Sequence, residues 1–146
     1  MNTLTVPASV DYLDRVIEFI NNELEAYDCP MKAQMQLELA VEEIFVNIAS
    51  YAYNPVEGEA EVRCEVLTDP LRVVIQFLDG GKPFDPLAKE EYDTSPEAFD
   101  DTKVGGLGIY MTRKTMDEVQ YAYENGKNIL TIRKELQEGA GAGNET

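Results

Sequence analysis

The chain has 146 residues, 44% hydrophobic and 27% charged, which fits one soluble globular domain with one core. Its 28 acidic and 12 basic residues give a net charge of -16, which argues against a nucleic-acid surface and leaves either solubility or a basic protein partner. It contains no histidine, which excludes His-based triads, His general bases, most zinc sites and a phosphorelay histidine.

No apolar run approaches the roughly 20 residues needed to cross a membrane; the run Leu71–Leu78 is broken by Arg72 and Gln76. The N-terminus has no basic segment followed by an apolar one, so no signal peptide is expected. Cys29 and Cys64 lie far apart and make no disulfide framework, so a reduced, cytoplasmic protein is expected.

Asn2–Val6 alternates polar and apolar residues and reads as a strand. Ser9 then suits an N-cap, with Asp11 and Asp14 early in a helix whose apolar positions are Val10, Leu13, Val16, Ile17, Ile20 and Leu24. Asp28, Cys29 and Pro30 make a break, and Pro30 suits the first turn of the next helix. That helix is expected over about Met31–Tyr53, with a stripe of Leu37, Val41, Ile44, Ile48 and Tyr51 beside Ala40. Asn54, Pro55 and Gly58 end it. Strands follow near Ala60–Leu67 and Leu71–Leu78, with Asp69-Pro70 as the turn.

From Asp85 to Val104 the pattern fades into an acidic stretch carrying Pro86 and Pro96. A loop of about 20 residues in so small a domain is more often a functional lid than a connector. Gly105 and Gly106 precede a helix over about Leu107–Met116. Strands Glu118–Tyr123 and Asn128–Lys134 close the domain around Asn125-Gly126, a strong hairpin signal. Residues 1–136 therefore form the domain, and the Gly-Ala-rich residues 137–146 form a flexible tail. The element order implies an α+β, two-layer sandwich: a mixed, mostly antiparallel sheet covered on one face by helices.

Three motifs carry chemistry. Glu43 and Asn47 are four residues apart, roughly 400° of helix, so both lie on one face at the edge of the apolar stripe, while Glu42 points away. Asn offers a neutral oxygen to Mg²⁺, and Glu can act as a general base or orient a water; alone, however, an exposed Glu–Asn pair is commonplace. Asp79-Gly80-Gly81-Lys82-Pro83-Phe84-Asp85 directly follows a strand. A carboxylate there can accept from the exocyclic amine of adenine while glycine allows close approach, or the segment is a plain turn. Asp85 reads as a cap or turn residue. Gly105-Gly106-Leu107-Gly108-Ile109 opens a helix, where amides and the dipole suit phosphates, or where glycines serve packing. It is neither a Walker loop nor a Rossmann fingerprint.

The order of the three, separated by a lid-length loop, resembles the GHKL (histidine-kinase-like) ATPase superfamily. Glu43-Ile-Phe-Val-Asn47 is similar to its N box, Asp79–Asp85 to its G1 box and Gly105–Ile109 to its G2 box. Gly106-Leu-Gly-Ile-Tyr-Met, Met116-Asp-Glu-Val119 and Asn128–Lys134 are similar to the anti-sigma-factor serine kinases of the RsbW and SpoIIAB type, and the resemblance covers roughly residues 3 to 136. It implies the Bergerat α/β sandwich, binding ATP and Mg²⁺. Asp79 would contact the adenine amine, with Gly81 and Thr131 completing the base pocket. Asn47 would bind Mg²⁺. Gly105, Gly106, Leu107 and Gly108 would supply phosphate-binding amides. Lys103 stands where relatives often carry an arginine that meets the terminal phosphate. Glu43 would be the catalytic base.

The resemblance further implies phosphorylation of a serine on a STAS-domain anti-anti-sigma protein, sequestration of a sigma factor, and self-association through the first strand and helix. Relatives often have a histidine one turn after the Asn, where this chain has Tyr51, which can pack in the core. The acidic run Glu90, Glu91, Asp93, Asp100 and Asp101 reads as the outer face of a lid. A sensor histidine kinase is not expected, since neither a phosphoacceptor histidine nor dimerisation helices are present. Two rivals remain: a nucleotide-dependent partner-binding switch with weak or no catalysis, and a plain ATPase or metabolic enzyme.

Overall fold

The computed structural model describes residues 1–53, 57–88 and 104–136, with 104–107 described by backbone only. Strand β1 (Asn2–Pro7) leads into a one-turn 3-10 helix (Val10–Tyr12) and then helix α1 (Leu13–Leu24). Ser9 is extended and accepts from the Asp11 amide, so it caps the 3-10 turn rather than α1 itself. Helix α2 (Met31–Tyr51) follows, with Pro30 at its N-cap. Strands β2 (Glu59–Leu67) and β3 (Arg72–Asp79) form a hairpin across a cis Asp69-Pro70 peptide. Helix α3 (Val104–Thr115) and the hairpin β4 (Glu118–Glu124) and β5 (Lys127–Glu135) complete the order.

The five strands lie in the order β1-β2-β3-β5-β4. Every pairing is antiparallel, so among the described residues the sheet is antiparallel throughout rather than mixed. Asn125 and Gly126 both take positive φ (55° and 78°) in the two-residue turn joining β4 to β5. That geometry matches the right-handed twist of the strands and explains why Asn-Gly occurs there.

Strand alternation gives the sheet two unlike faces. Val62, Cys64, Val73, Ile75, Phe77, Leu130 and Ile132 are buried on the face that meets the helices. Val16, Ile20 and Leu24 of α1 and Leu37, Ala40, Val41, Ile44 and Phe45 of α2 fill the other side of that core. Phe45 was absent from the expected stripe yet is fully buried. Tyr51, expected in the stripe, is 56% exposed, and Val10 is exposed as well. Val10 lies in the 3-10 turn ahead of α1, and Tyr51 is the last residue of α2. The opposite face carries Arg63, Gln76, Thr131 and Arg133, with no helix over it among the described residues.

Burial pushes the Cys64 thiol up to about 12, so it serves packing rather than nucleophilic chemistry. Cys29 is also free, half-buried against the core. No helix among the described residues is long and apolar enough to cross a membrane. The tail, Asn54, Pro55 and the acidic positions Glu90, Glu91, Asp93, Asp100 and Asp101 lie outside the described residues.

Candidate nucleotide site

The helix-facing side of the sheet opens, at the end of β3, into a cleft of about 490 Å³ that is open to solvent. Asn47, Ile44 and Ile48 of α2, Phe77 and Asp79 of β3, Ile109 of α3, Tyr121 of β4 and Asn128 and Leu130 of β5 line it. Asp79 and Asn47, 32 positions apart in sequence, therefore face one space. The walls are largely apolar, as a flat heteroaromatic base requires.

Asp79 is the last residue of β3 and falls on the same face as Phe77 and Ile75. It is 5% exposed. Its Oδ1 accepts from the Gly81 amide at 2.9 Å and from Asn128 Nδ2 at 2.9 Å. Among the described residues its Oδ2 accepts no hydrogen bond. A buried carboxylate oxygen without a donor is costly unless a ligand or water supplies one. The exocyclic amine of a purine is such a donor.

Gly81 is required by close packing rather than by an unusual φ. A Cβ there would stand 2.2 Å from the carbonyl oxygen of Ala52, just past α2. The Lys82 amide donates to that same oxygen at 3.1 Å, tying the loop to the helix. Tyr53 fastens the loop from the other side: its hydroxyl donates to the Glu59 carbonyl and accepts from the Gly80 amide, each at 2.6 Å. Burial pushes the Tyr53 hydroxyl above its ordinary range, the Gly80 bond pulls it back, and the Asp79 and Glu59 charges raise it further. Asp85 forms a local turn, accepting from the Leu87 amide at 2.8 Å, and so is a turn residue as expected.

At the other end, Glu43 and Asn47 are joined by a bond from Asn47 Nδ2 to Glu43 Oε2 at 3.1 Å, as their spacing predicts. The Asn47 Oδ1 accepts no bond among the described residues, leaving a neutral oxygen at the cleft. Burial pushes the Glu43 carboxyl above its ordinary range; the Asn47 bond lowers it and the neighbouring Glu42 raises it. Gly108 packs directly on Glu43, since a Cβ there would stand 2.0 Å from the carboxyl carbon. Parts of all three motifs thus meet at the cleft: Asn47, Asp79 and Ile109 line it, while Glu43 and Gly108 lie against each other beside Asn47, outside its lining.

Helix α3 begins at Val104, so Gly105 and Gly106 occupy its first turn instead of preceding it. The unpaired amides of a first turn, together with the helix dipole, still favour an anion. Lys103 lies outside the described residues. Among the described residues no group of three or more acidic, Cys or His side chains could hold a metal ion. The Asn47 Oδ1 is a neutral oxygen of the kind Mg²⁺ accepts beside phosphate and water ligands.

Thr131 is a correction. It pairs with Gln76 and accepts from Gln76 Nε2 at 3.3 Å, on the sheet face away from the cleft. Asn128, three residues earlier and paired with Asp79, occupies the cleft side instead. An odd offset along a strand always reverses the face. Asn128 and Tyr121 were missed because Asn128–Ile132 is hidden on both faces or nearly so, and the run gives no clear alternation.

The family model described as histidine kinase-like ATPase domain matches residues 6–134. The chain belongs to this family. This histidine-kinase-like ATPase domain is 26% identical to the serine-protein kinase RsbW of Listeria monocytogenes serovar 1/2a, covering 94% of this chain and 92% of that one. It is 34% identical to the RsbW of Bacillus velezensis over 66% of this chain and 62% of the relative. Among solved structures it resembles the RsbU and RsbW domains of a Mycobacterium tuberculosis protein, with a TM-score of 0.63 and 15% identity. That match covers 96% of this chain and 34% of the other. A histidine kinase domain of a blue-light-activated kinase from Erythrobacter litoralis matches with a TM-score of 0.55 and 19% identity, over 90% and 62% of the two chains. These structural likenesses speak for the fold alone, and the RsbW relatives for the serine-kinase branch.

Proposed function

We propose that the cleft binds ATP and that the domain is a protein-serine kinase acting on a STAS-type anti-anti-sigma partner, and an anti-sigma factor in the cytoplasm. The observation that carries the nucleotide reading is Asp79: a buried carboxylate at the end of an apolar cleft, with one oxygen pinned by two donors and the other without any. The oxygen without a donor receives the base amine, and Ile44, Ile48, Phe77 and Leu130 exclude water around the ring. Phosphates extend towards Asn47 and the first-turn amides of Val104–Leu107, with Lys103 completing the charge balance. Asn47 Oδ1 would hold Mg²⁺, which would offset phosphate charge in the transfer.

Glu43 takes the proton of the substrate serine. The serine oxygen bonds to the γ-phosphorus as the bond to the β–γ bridging oxygen breaks, giving phosphoserine and ADP. A carboxyl raised by burial is a better proton acceptor than an ordinary one. The similarity to RsbW serine-protein kinases along most of the chain supports this chemistry over a plain ATPase. Unphosphorylated partner displaces the sigma factor, and phosphorylation frees the kinase to hold it again. Self-association fits the same reading, because β1 is an edge strand followed by exposed Val10 and Tyr12.

Transfer from [γ-³²P]ATP to a STAS partner tests the proposal. Wild type is expected to label the serine, and Glu43→Ala to label it about 10²–10⁴-fold more slowly while still binding ATP. Binding without transfer to any such partner would replace the kinase with a nucleotide-dependent partner-binding switch.

A further inference from the structure

We infer that Asn128, backed by Tyr121, sets the preference of this cleft for a 6-amino purine. It acts as a positioning residue through Asp79. The inference rests on the nucleotide-binding reading above.

The side-chain amide of Asn128 has two donor hydrogens and two acceptor lone pairs, and all four are used. Nδ2 donates to Asp79 Oδ1 and to the Lys82 carbonyl, both at 2.9 Å. Oδ1 accepts from the Phe84 amide at 3.1 Å and from the Tyr121 hydroxyl. Two of these partners are backbone groups of fixed polarity: a carbonyl can only accept and an amide can only donate. The amide therefore has one orientation, and its NH₂ must face Asp79. Asn128 is 7% exposed, so water does not compete for these bonds.

The consequence falls on Asp79. A terminal carboxylate torsion is soft and has no sharp preferred angle of its own. With Gly81 N and Asn128 Nδ2 both on Oδ1, rotation is blocked and Oδ2 is the atom left for a ligand. Gly81 donates from within the loop that Asn128 itself anchors through Lys82 and Phe84. One amide thus aims the base-reading carboxylate and fastens the adjoining loop. An aspartate at 128 would set an acceptor against two acceptors, which explains an amide at this position. Tyr121, on the neighbouring strand, donates its hydroxyl to the acceptor end of that amide.

The two roles separate by ligand. Loosening the loop would weaken every purine nucleotide alike, whereas misaiming Asp79 would weaken only those with a 6-amino group. Calorimetric titration with ATP and with purine riboside triphosphate, which lacks only that amine, measures the difference. Wild type is expected to prefer ATP by about tenfold or more, as sites built to bond a substrate amine do. In Asn128→Ala that preference should fall to about twofold, chiefly through ATP. Tyr121→Phe, which keeps the bond to Asp79, should lower it by about threefold. Equal weakening of both nucleotides, or an unchanged preference, in Asn128→Ala overturns the inference. If that variant fails to fold, an unchanged preference in Tyr121→Phe does so. A wild type that binds neither nucleotide removes the nucleotide reading itself, whereas a wild type that prefers ATP leaves that reading standing whatever the variants do.

Discussion

The two ends of the cleft are built differently. At the base end, Asp79, Asn128 and Gly81 are linked by bonds between strand ends and loop, and Tyr53 holds the same loop through the Gly80 amide. Asp79 and Asn128 are both buried there. At the phosphate end a half-buried Glu43 meets Asn47 through a single bond, and Gly108 leaves room for its carboxylate. A polar network buried among several partners holds its members in place, and here it leaves one atom, Asp79 Oδ2, for a ligand. A single bond between two half-exposed side chains is easily exchanged for bonds to ligand or water. Base recognition is thus prepared before a nucleotide arrives, and the chemistry at the other end is assembled with it.

This contrast predicts larger losses at the base end. Asp79→Asn replaces the acceptor facing the base with a donor-bearing amide, and should lower ATP affinity by about 100-fold in calorimetry. A loss below about fivefold would show that the base end is not the anchor. Next in size is a paired substitution in one loop. Gly81→Ala would put a Cβ 2.2 Å from backbone oxygen that cannot yield, and should cost about 1–3 kcal/mol in thermal or denaturant unfolding. Gly80→Ala meets only the Tyr53 hydroxyl at 3.6 Å and should stay within about 0.5 kcal/mol of wild type. Equal effects would mean that the loop does not lean on α2.

The smallest effect belongs to the phosphate end. The folded-state pKa of Glu43 is raised above its ordinary 4.5, so folding favours its neutral form. The stability this contributes is fully present below the unfolded value and is lost as pH rises through the folded one. Glu43→Gln, neutral at every pH, should therefore melt slightly above wild type at about pH 7, with the gap closing below about pH 4. A gap that widens on acidification would mean that the carboxylate is held by a partner rather than strained by burial.

The strands, the helices, the Asn125-Gly126 turn and the pairing of Glu43 with Asn47 were all legible in order and type. Each follows from local rules: period-2 alternation, helical spacing, a turn that needs positive φ, a step of four on one helix face. The same rules located Asp79 and Gly81 at a strand end. They could not say that Gly81 touches Ala52 or that Gly108 touches Glu43, because those contacts join distant segments.

The last strand shows where local reading ends. In Asn128-Ile129-Leu130-Thr131-Ile132 nearly every residue is at least partly hidden, so hydrophobicity does not reveal which face is which. The sequence determined that β5 forms and that polar residues sit within it. Only the register with β3, set by the packed core and the β4–β5 turn, decided that Asn128 rather than Thr131 meets Asp79. Shifting the pairing by one residue exchanges the two faces at no local cost, so the choice belongs to the tertiary structure.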